Sequence, residues 1–262
     1  MLRAFSTAAT GMTAQQTIVD TIANNLANLN TVGFKRSQVD FQDLMYVKML
    51  EPGTETSSGV KSPSGFEIGS GVRPASTMKV FSQGEMENTG RDLDIAIEGD
   101  GFFQVTTPTG VRYTRDGSLR ADAEGNLVNS SGSMLEPNVK IPSDWRSISV
   151  GKDGTVSVMT GNNLAPTIVG TIQLVRFANP SGLSSQGGNL LAETPASGSP
   201  ISGTAGLDGF GGLQQGFLEK SNVQMVHELV NLITAQRAYE INSRAIKAGD
   251  EMLTTANRLV NG

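Results

Sequence analysis

The side chains that most often carry catalysis are thinly spread in this chain. It holds one histidine, His227, and no cysteine. Within four residues of His227 the only acid is Glu228, so neither a Ser-His-Asp nor a Cys-His set can be assembled around it. His227 is expected at solvent or at an interface. Asp92, Asp94, Glu98 and Asp100 are closely spaced carboxylates that could serve acid–base chemistry. A strand of period two would place them on one solvated face instead. Asp122, Glu124 and Asn126 have some of the spacing of a calcium loop. The glycine falls at the wrong position and no glutamate occupies the twelfth, so a turn is expected. "GLDGFGG" at 206–212 lacks the strand-to-helix context of a phosphate loop. The residues therefore predict no catalytic, cofactor-binding or metal-ligating site and no enzyme activity.

Composition narrows the classes further. The chain has 262 residues, with 37% hydrophobic, 17% charged and 5% aromatic residues and 31 glycines. That supports folded cores but not one large globule. The net charge is −5 and no run of Lys or Arg exists, which argues against a nucleic-acid surface. No window approaches the ~18 uninterrupted apolar residues of a membrane span. "MLRAFSTAATGMTAQQTIVD" lacks a secretory apolar core, because Gln15, Gln16 and Asp20 interrupt it. The expectation is a cytosolic protein, or one exported without a cleaved signal peptide. A chain without cysteine suits passage through membranes unfolded, since it forms no stray disulfides.

Two helices must frame whatever the chain does. At the N-terminus Phe5, Met12, Val19 and Leu26 recur every seven residues. Ala8, Gln15, Ile22 and Leu29 make a second row three residues on, with Ala9 and Ala23 beside them. This a/d stripe predicts a helix of about 28 residues and roughly 40 Å, closed by a left-handed Gly33. Lys35 and Arg36 then lie just past its negative end. At the C-terminus "SNVQ" reads as a capping box with Ser221 as N-cap. Met225, Leu232, Tyr239, Ile246, Leu253 and Val260 follow at heptad spacing, flanked by Ala238, Ala245 and Met252. Val226, Leu229, Val230 and Ile233 widen the apolar arc at the start. Gly249 weakens the helix by about 1 kcal/mol relative to Ala.

Between the helices the period falls to two. "LDIAIEGDGFFQV", the turn "TTPTG", and "SISVGKDGTVSVMTG" with its Lys152-Asp153-Gly154 turn predict a compact antiparallel β-domain. Residues 49–73 and about 179–212 are rich in Gly, Ser, Thr and Pro and read as linkers or extended arms. The predicted fold is α+β in three parts. Residues 1–33 with 221–262 form a terminal helical coiled coil, 34–94 with 180–220 the extended connecting arms, and 95–179 the central β-domain. A two-helix seam this thin is marginal alone, so it should order by packing against copies of itself. Asn24, Asn25 and Asn28 fall off the seam and face something else.

Three segments carry a resemblance. "ANNLANLNTVGFKR" resembles the N-terminal motif of bacterial flagellar axial proteins, the rod and hook subunits. "SNVQMVHELVNLITAQRAYEINSRAIKAGDEML" resembles their C-terminal signature. "DGFFQVTTPTGVRYTRDGSLRADAEGNLV" resembles their shared middle region. The length and the stretch "YVKMLEPGTETSSGVKSP", 46–63, with "GSGVRPAST" after it, are similar to the distal rod members of that family. The resemblance implies a structural subunit that assembles helically into a drive shaft between motor and hook. The implied partners are further copies of the chain, proximal rod subunits, the hook protein, the bushing rings and the type III export apparatus. It implies a place in the basal-body rod spanning the periplasm. Residues 41–45, "FQDLM", are either an export-recognition segment or a buried helical turn.

The assembly interface is accordingly expected at Phe5, Met12, Val19, Ile22, Asn24, Asn25, Leu26, Asn28, Leu29, Met225, Leu232, Tyr239, Ile246 and Leu253. The Asn24, Asn25 and Asn28 amides would meet neighbouring subunits. A proximal rod or hook subunit is the alternative within the family. A peptidoglycan hydrolase would need a catalytic set in the β-domain. An adhesin would work through residues 95–180 alone.

Overall fold

The computed structural model describes the backbone of residues 2–53, 55–57, 60–61, 63–161 and 165–261, and the side chains of most of these. The chain forms two compact units. One comprises Met1–Leu26, Ser37–Met78 and Met225–Gly262. The other comprises Ala27–Arg36 and Lys79–Gln224.

The first unit is built on helices α1, Leu2–Ala27, and α2, Met225–Asn261. They run antiparallel. Phe5 lies against Gly249, Gly11 against Asn242, and Gln16 and Val19 share a groove with Gln236, Tyr239 and Glu240. A methyl group on Gly249 would sit 2.7 Å from the Phe5 ring. The glycine that weakens α2 is therefore also what seats an aromatic ring from α1.

On α1 the expected heptad rows are observed: Phe5, Ala8, Met12, Gln15, Val19 and Leu26 are half-buried and Ile22 is buried. On α2 only part of the expected row is covered. Leu232, Ile246 and Leu253 are half-buried, whereas Met225 and Tyr239 are exposed. The Val260 side chain lies outside the described residues. The most buried row of α2 is instead Glu228, Ala235 and Gly249, with Asn242 half-buried between the last two. Small and polar residues let the helices approach closely, and apolar periodicity does not reveal them.

Both helix boundaries differ from expectation. α1 ends at Ala27, six residues before Gly33. Asn28 starts a tight turn there: its carbonyl accepts from Thr31 N at 3.2 Å and its Oδ1 accepts from Thr31 Oγ1 at 3.1 Å. α2 begins at Met225, and Ser221 is not its cap. Ser221 Oγ accepts from Val223 N at 3.3 Å in the approach to the helix. The short polar side chains favour these local bonds over helix continuation.

The described residues of the stretch read as linker in 49–73 belong to a two-stranded β-ribbon. Ser37–Asp43 pairs with Val72–Lys79, Val47–Leu50 with Phe66–Ile68, and Glu55–Ser57 with Val60–Lys61. Residues 41–45 thus run along and out of a strand and are not a helical turn. Two polar contacts join the ribbon to α1: Asn25 with Ser37, and Thr10 Oγ1 with Val72 N at 3.4 Å.

The second unit is antiparallel β throughout. A seven-stranded sheet runs in the order Arg120–Ala121, Leu127–Val128, Met134–Glu136, Phe103–Thr107, Gly110–Thr114, Leu190–Ala192, Ser184–Gly187. A three-stranded sheet holds Trp145–Val150, Thr155–Thr160 and Thr167–Thr171, with Val150 opposite Val156 and Ile148 opposite Val158 as the hairpin pattern predicts. Ile95, Ile97, Phe103, Val105, Leu135 and Leu174 are among the residues filling the core between them. The segment expected as an arm from 180 to 220 is folded into this unit. Ile201–Thr204 pairs with Gln173–Arg176, Gly212–Gln215 with Ile95–Glu98, and Phe217–Glu219 with Met86–Asn88. Local composition hid these strands, because their partners are distant in sequence.

Candidate assembly interface

The residues weighed for catalysis are dispersed. His227 is exposed at the start of α2. Asp92, Glu98 and Asp100 are exposed, but Asp94 is fully buried, contrary to a shared solvated face. Its Oδ2 accepts from Thr89 Oγ1 at 2.6 Å, and its carbonyl accepts from Gly216 N at 2.7 Å, so it braces a turn. Asp122 is the hub of an Asx-type turn. Hydrogen bonds, first from the Asn126 side chain and then from backbone N–H groups of the turn, hold its carboxyl below the ordinary carboxylate pKa. Among the described residues no group of three or more His, Asp or Glu could hold a metal ion.

What the first unit does present is apolar surface. Val226, Leu229, Val230 and Ile233 are 73%, 40%, 56% and 51% exposed. Spaced i, i+3, i+4, i+7, they share one face of α2. At 100° per residue that face lies opposite the Glu228–Ala235–Gly249 row that meets α1. The start of α2 thus buries a small and polar row and leaves an apolar face uncovered by the chain. The ribbon adds Met45, Tyr46, Met49 and Phe66, 88%, 51%, 61% and 57% exposed. Surface of this kind marks a binding face.

The asparagines divide. Asn24 is exposed and Asn28 half-buried. Asn25 is 1% exposed, and its amide is used inside the chain. Nδ2 donates to Ser37 O and Oδ1 accepts from Ser37 N, both at 2.9 Å. That is the pairing a neighbouring strand would give Ser37. Within the chain, Asn25 therefore pins α1 to the ribbon. Leu29 is half-buried in the turn after α1 and belongs to the second unit.

Sequence reasoning missed a buried ion cluster in the second unit. Glu219, Lys35 and Arg115 have side chains only 1%, 3% and 6% exposed. Lys35 Nζ lies 2.6 Å from Glu219 Oε1, and Arg115 Nε and Nη2 each lie 2.9 Å from Oε2. Burial lowers the Lys35 pKa from its ordinary value; Glu219 opposes that shift and Arg115 adds to it. Lys35 was expected to sit beside the helix terminus. Nothing in its local sequence distinguishes it from a solvated lysine, and its partner is 184 residues away.

Comparison with known proteins accounts for the whole chain. A family model described as Flagella basal body rod protein matches residues 5–35. One described as Flagellar hook protein FlgE/F/G D1 domain matches 96–158, and one described as Flagellar basal body rod FlgEFG protein C-terminal matches 214–259. The flagellar basal-body rod protein FlgG of Buchnera aphidicola subsp. Acyrthosiphon pisum is 48% identical over 251 residues, 95% of this chain and 96% of that protein. The FlgG of Borreliella burgdorferi is 47% identical over 262 residues, 99% of both chains. That of Caulobacter vibrioides is 42% identical over 260 residues, 98% of this chain and 99% of that protein. Similarity of this depth, running from α1 through the β-unit to α2, shows that the chain belongs to the flagellar basal-body rod protein family.

Proposed function

We propose that this protein is the structural subunit of the flagellar distal rod, assembling helically into a stiff shaft that carries motor torque to the hook. The observation that carries the reading is the uncovered apolar face of α2. Val226, Leu229, Val230 and Ile233 point away from the in-chain seam, so one copy alone leaves them in water. A contact between this face and a different face of the next copy is heterologous. If its rotation does not close, it generates an open helical filament. The exposed face of α1, which includes Thr13, Gln16, Asp20 and Asn24, offers that second surface. Its small and polar side chains admit close approach. In this reading the paired terminal helices form the inner tube. The remaining expected interface residues, Phe5, Met12, Val19, Ile22, Leu26, Leu232, Ile246 and Leu253, act by holding the pair together.

The ribbon favours the distal rod over a proximal rod or hook subunit. The described residues of 46–63 lie on it, and 46–63 is the stretch that resembles distal rod members. The proposed partners are copies of this chain, proximal rod subunits, the hook protein and the bushing rings. The proposed route is export from the cytoplasm by the flagellar type III apparatus to a rod that spans the periplasm. Deleting residues 46–63 in flagellated cells tests the assignment. The expected outcome is a rod that still forms but loses straightness or stiffness in electron micrographs of isolated basal bodies. An unchanged rod would contradict it.

A further inference from the structure

The Lys35–Glu219–Arg115 cluster takes no part in the surfaces described above, yet it is the most heavily bonded group of side chains in the second unit. Glu219 Oε1 accepts from Lys35 Nζ at 2.6 Å and from Gly84 N at 2.8 Å. Its Oε2 accepts from Arg115, and its main-chain carbonyl accepts from Gly33 N at 2.8 Å. Lys35 Nζ also donates to Ser82 O at 2.7 Å, and Arg115 Nη1 to the carbonyls of Gly99 and Gly101 at 2.8 and 2.7 Å. Glu219 thus gathers donors from Lys35, Gly84 and Arg115 on its carboxylate and from Gly33 on its main-chain carbonyl. Asn222 repeats the pattern three residues on. Its Nδ2 donates to Val80 O and Ser82 O, and its Oδ1 accepts from Arg36 N.

Buried ion pairs are weak sources of net stability, because desolvating the charges offsets their attraction. An apolar trio would fill the same space. What charged and amide groups add is direction, since each hydrogen bond holds its acceptor at a set distance and angle. The location gives that direction a use. The chain crosses the edge of this unit four times, and three of the crossings, after 36, before 79 and after 224, lie within a few residues of these bonds. Lys35, Arg115 and Glu219 also come one each from the three family-matched segments.

We propose that the Lys35–Glu219–Arg115 cluster, seconded by Asn222, is a positional clamp that locks together the three chain segments where they leave the β-unit. Pull on one segment is then shared by all three instead of peeling one strand at a time. That mechanical consequence rests on the rod reading. The clamp itself does not.

Hydrogen exchange on the purified, unassembled full chain tests it with two variants. In Glu219→Gln, amides at 33–36, 80–85 and 219–223 should exchange at least about tenfold faster, while the 145–160 hairpin stays at its wild-type rate. Lys35→Met keeps the Arg115–Glu219 pair. It should speed exchange at 33–36 and 80–85 and leave 99–101 unchanged. Uniform acceleration that includes the hairpin, in a variant that still folds, would mean a general stability role and overturn the clamp. So would no change in Glu219→Gln. If Glu219→Gln does not fold, Lys35→Met decides alone: local acceleration supports the clamp, and uniform or absent acceleration overturns it. Failure of rod assembly with the expected exchange pattern would count against the rod reading, not the clamp.

Discussion

Asn25 shows how much a single side chain decides here. Its amide completes the hydrogen bonds of Ser37 as a strand would. Asn25→Ala strands a buried N–H and C=O and should cost about 1–3 kcal/mol, read by chemical denaturation of the monomer. Asn25→Asp, which can still accept from Ser37 N but cannot donate, should not restore full stability. Gly33 carries a comparable constraint. Its φ is +68°, and a Cβ there would meet the Arg115–Asp116 backbone at 2.8 Å. Gly33→Ala combines left-handed strain with a backbone clash and should destabilise the second unit by about 1–3 kcal/mol. Lys35 has a pH signature. Its folded pKa lies below the 10.5 of a free lysine, so between the two values the unfolded chain binds more protons. This group therefore penalises folding most below its folded pKa, and the penalty is relieved as pH rises toward 10.5. As pH rises toward 10.5, denaturation midpoints should gain less in Lys35→Met than in the wild type.

At the scale of elements, what could be read from sequence followed periodicity. The a/d row of α1 and the Val150–Val156 hairpin were legible because their partners lie on a regular repeat. The inner row of α2 was not. Glu228, Ala235, Asn242 and Gly249 are chosen for close approach, and no apolar count detects them. The ribbon and the strands from 184 to 219 were hidden for another reason. They are short, and many are paired to distant segments, so composition read them as linkers. The wide apolar arc of α2 was visible in sequence, but only the structure separates its covered side from its open one. That separation makes a prediction. Val226→Asp with Val230→Asp should leave the monomer melting temperature unchanged within the change a surface substitution allows, about 0.5 kcal/mol. The same pair should abolish rod formation and swimming, since burying each valine at a subunit contact is worth on the order of 1 kcal/mol and a charge reverses it. Normal swimming would show that this face meets water in the assembled state.

For the whole molecule, the proposal is that the open α2 face of one chain is covered by the next copy. Membership of the rod family, the two-sided α2 and the apolar ribbon all bear on it. None of the described helices is long and apolar enough to cross a membrane. The most direct test places a photo-cross-linking amino acid at Val226 in living, flagellated cells and identifies the adducts by mass spectrometry. The account predicts adducts to a second copy of this chain, mapping to residues on the exposed face of α1. Cross-links only within one chain, or a soluble protein with no adduct, would contradict it.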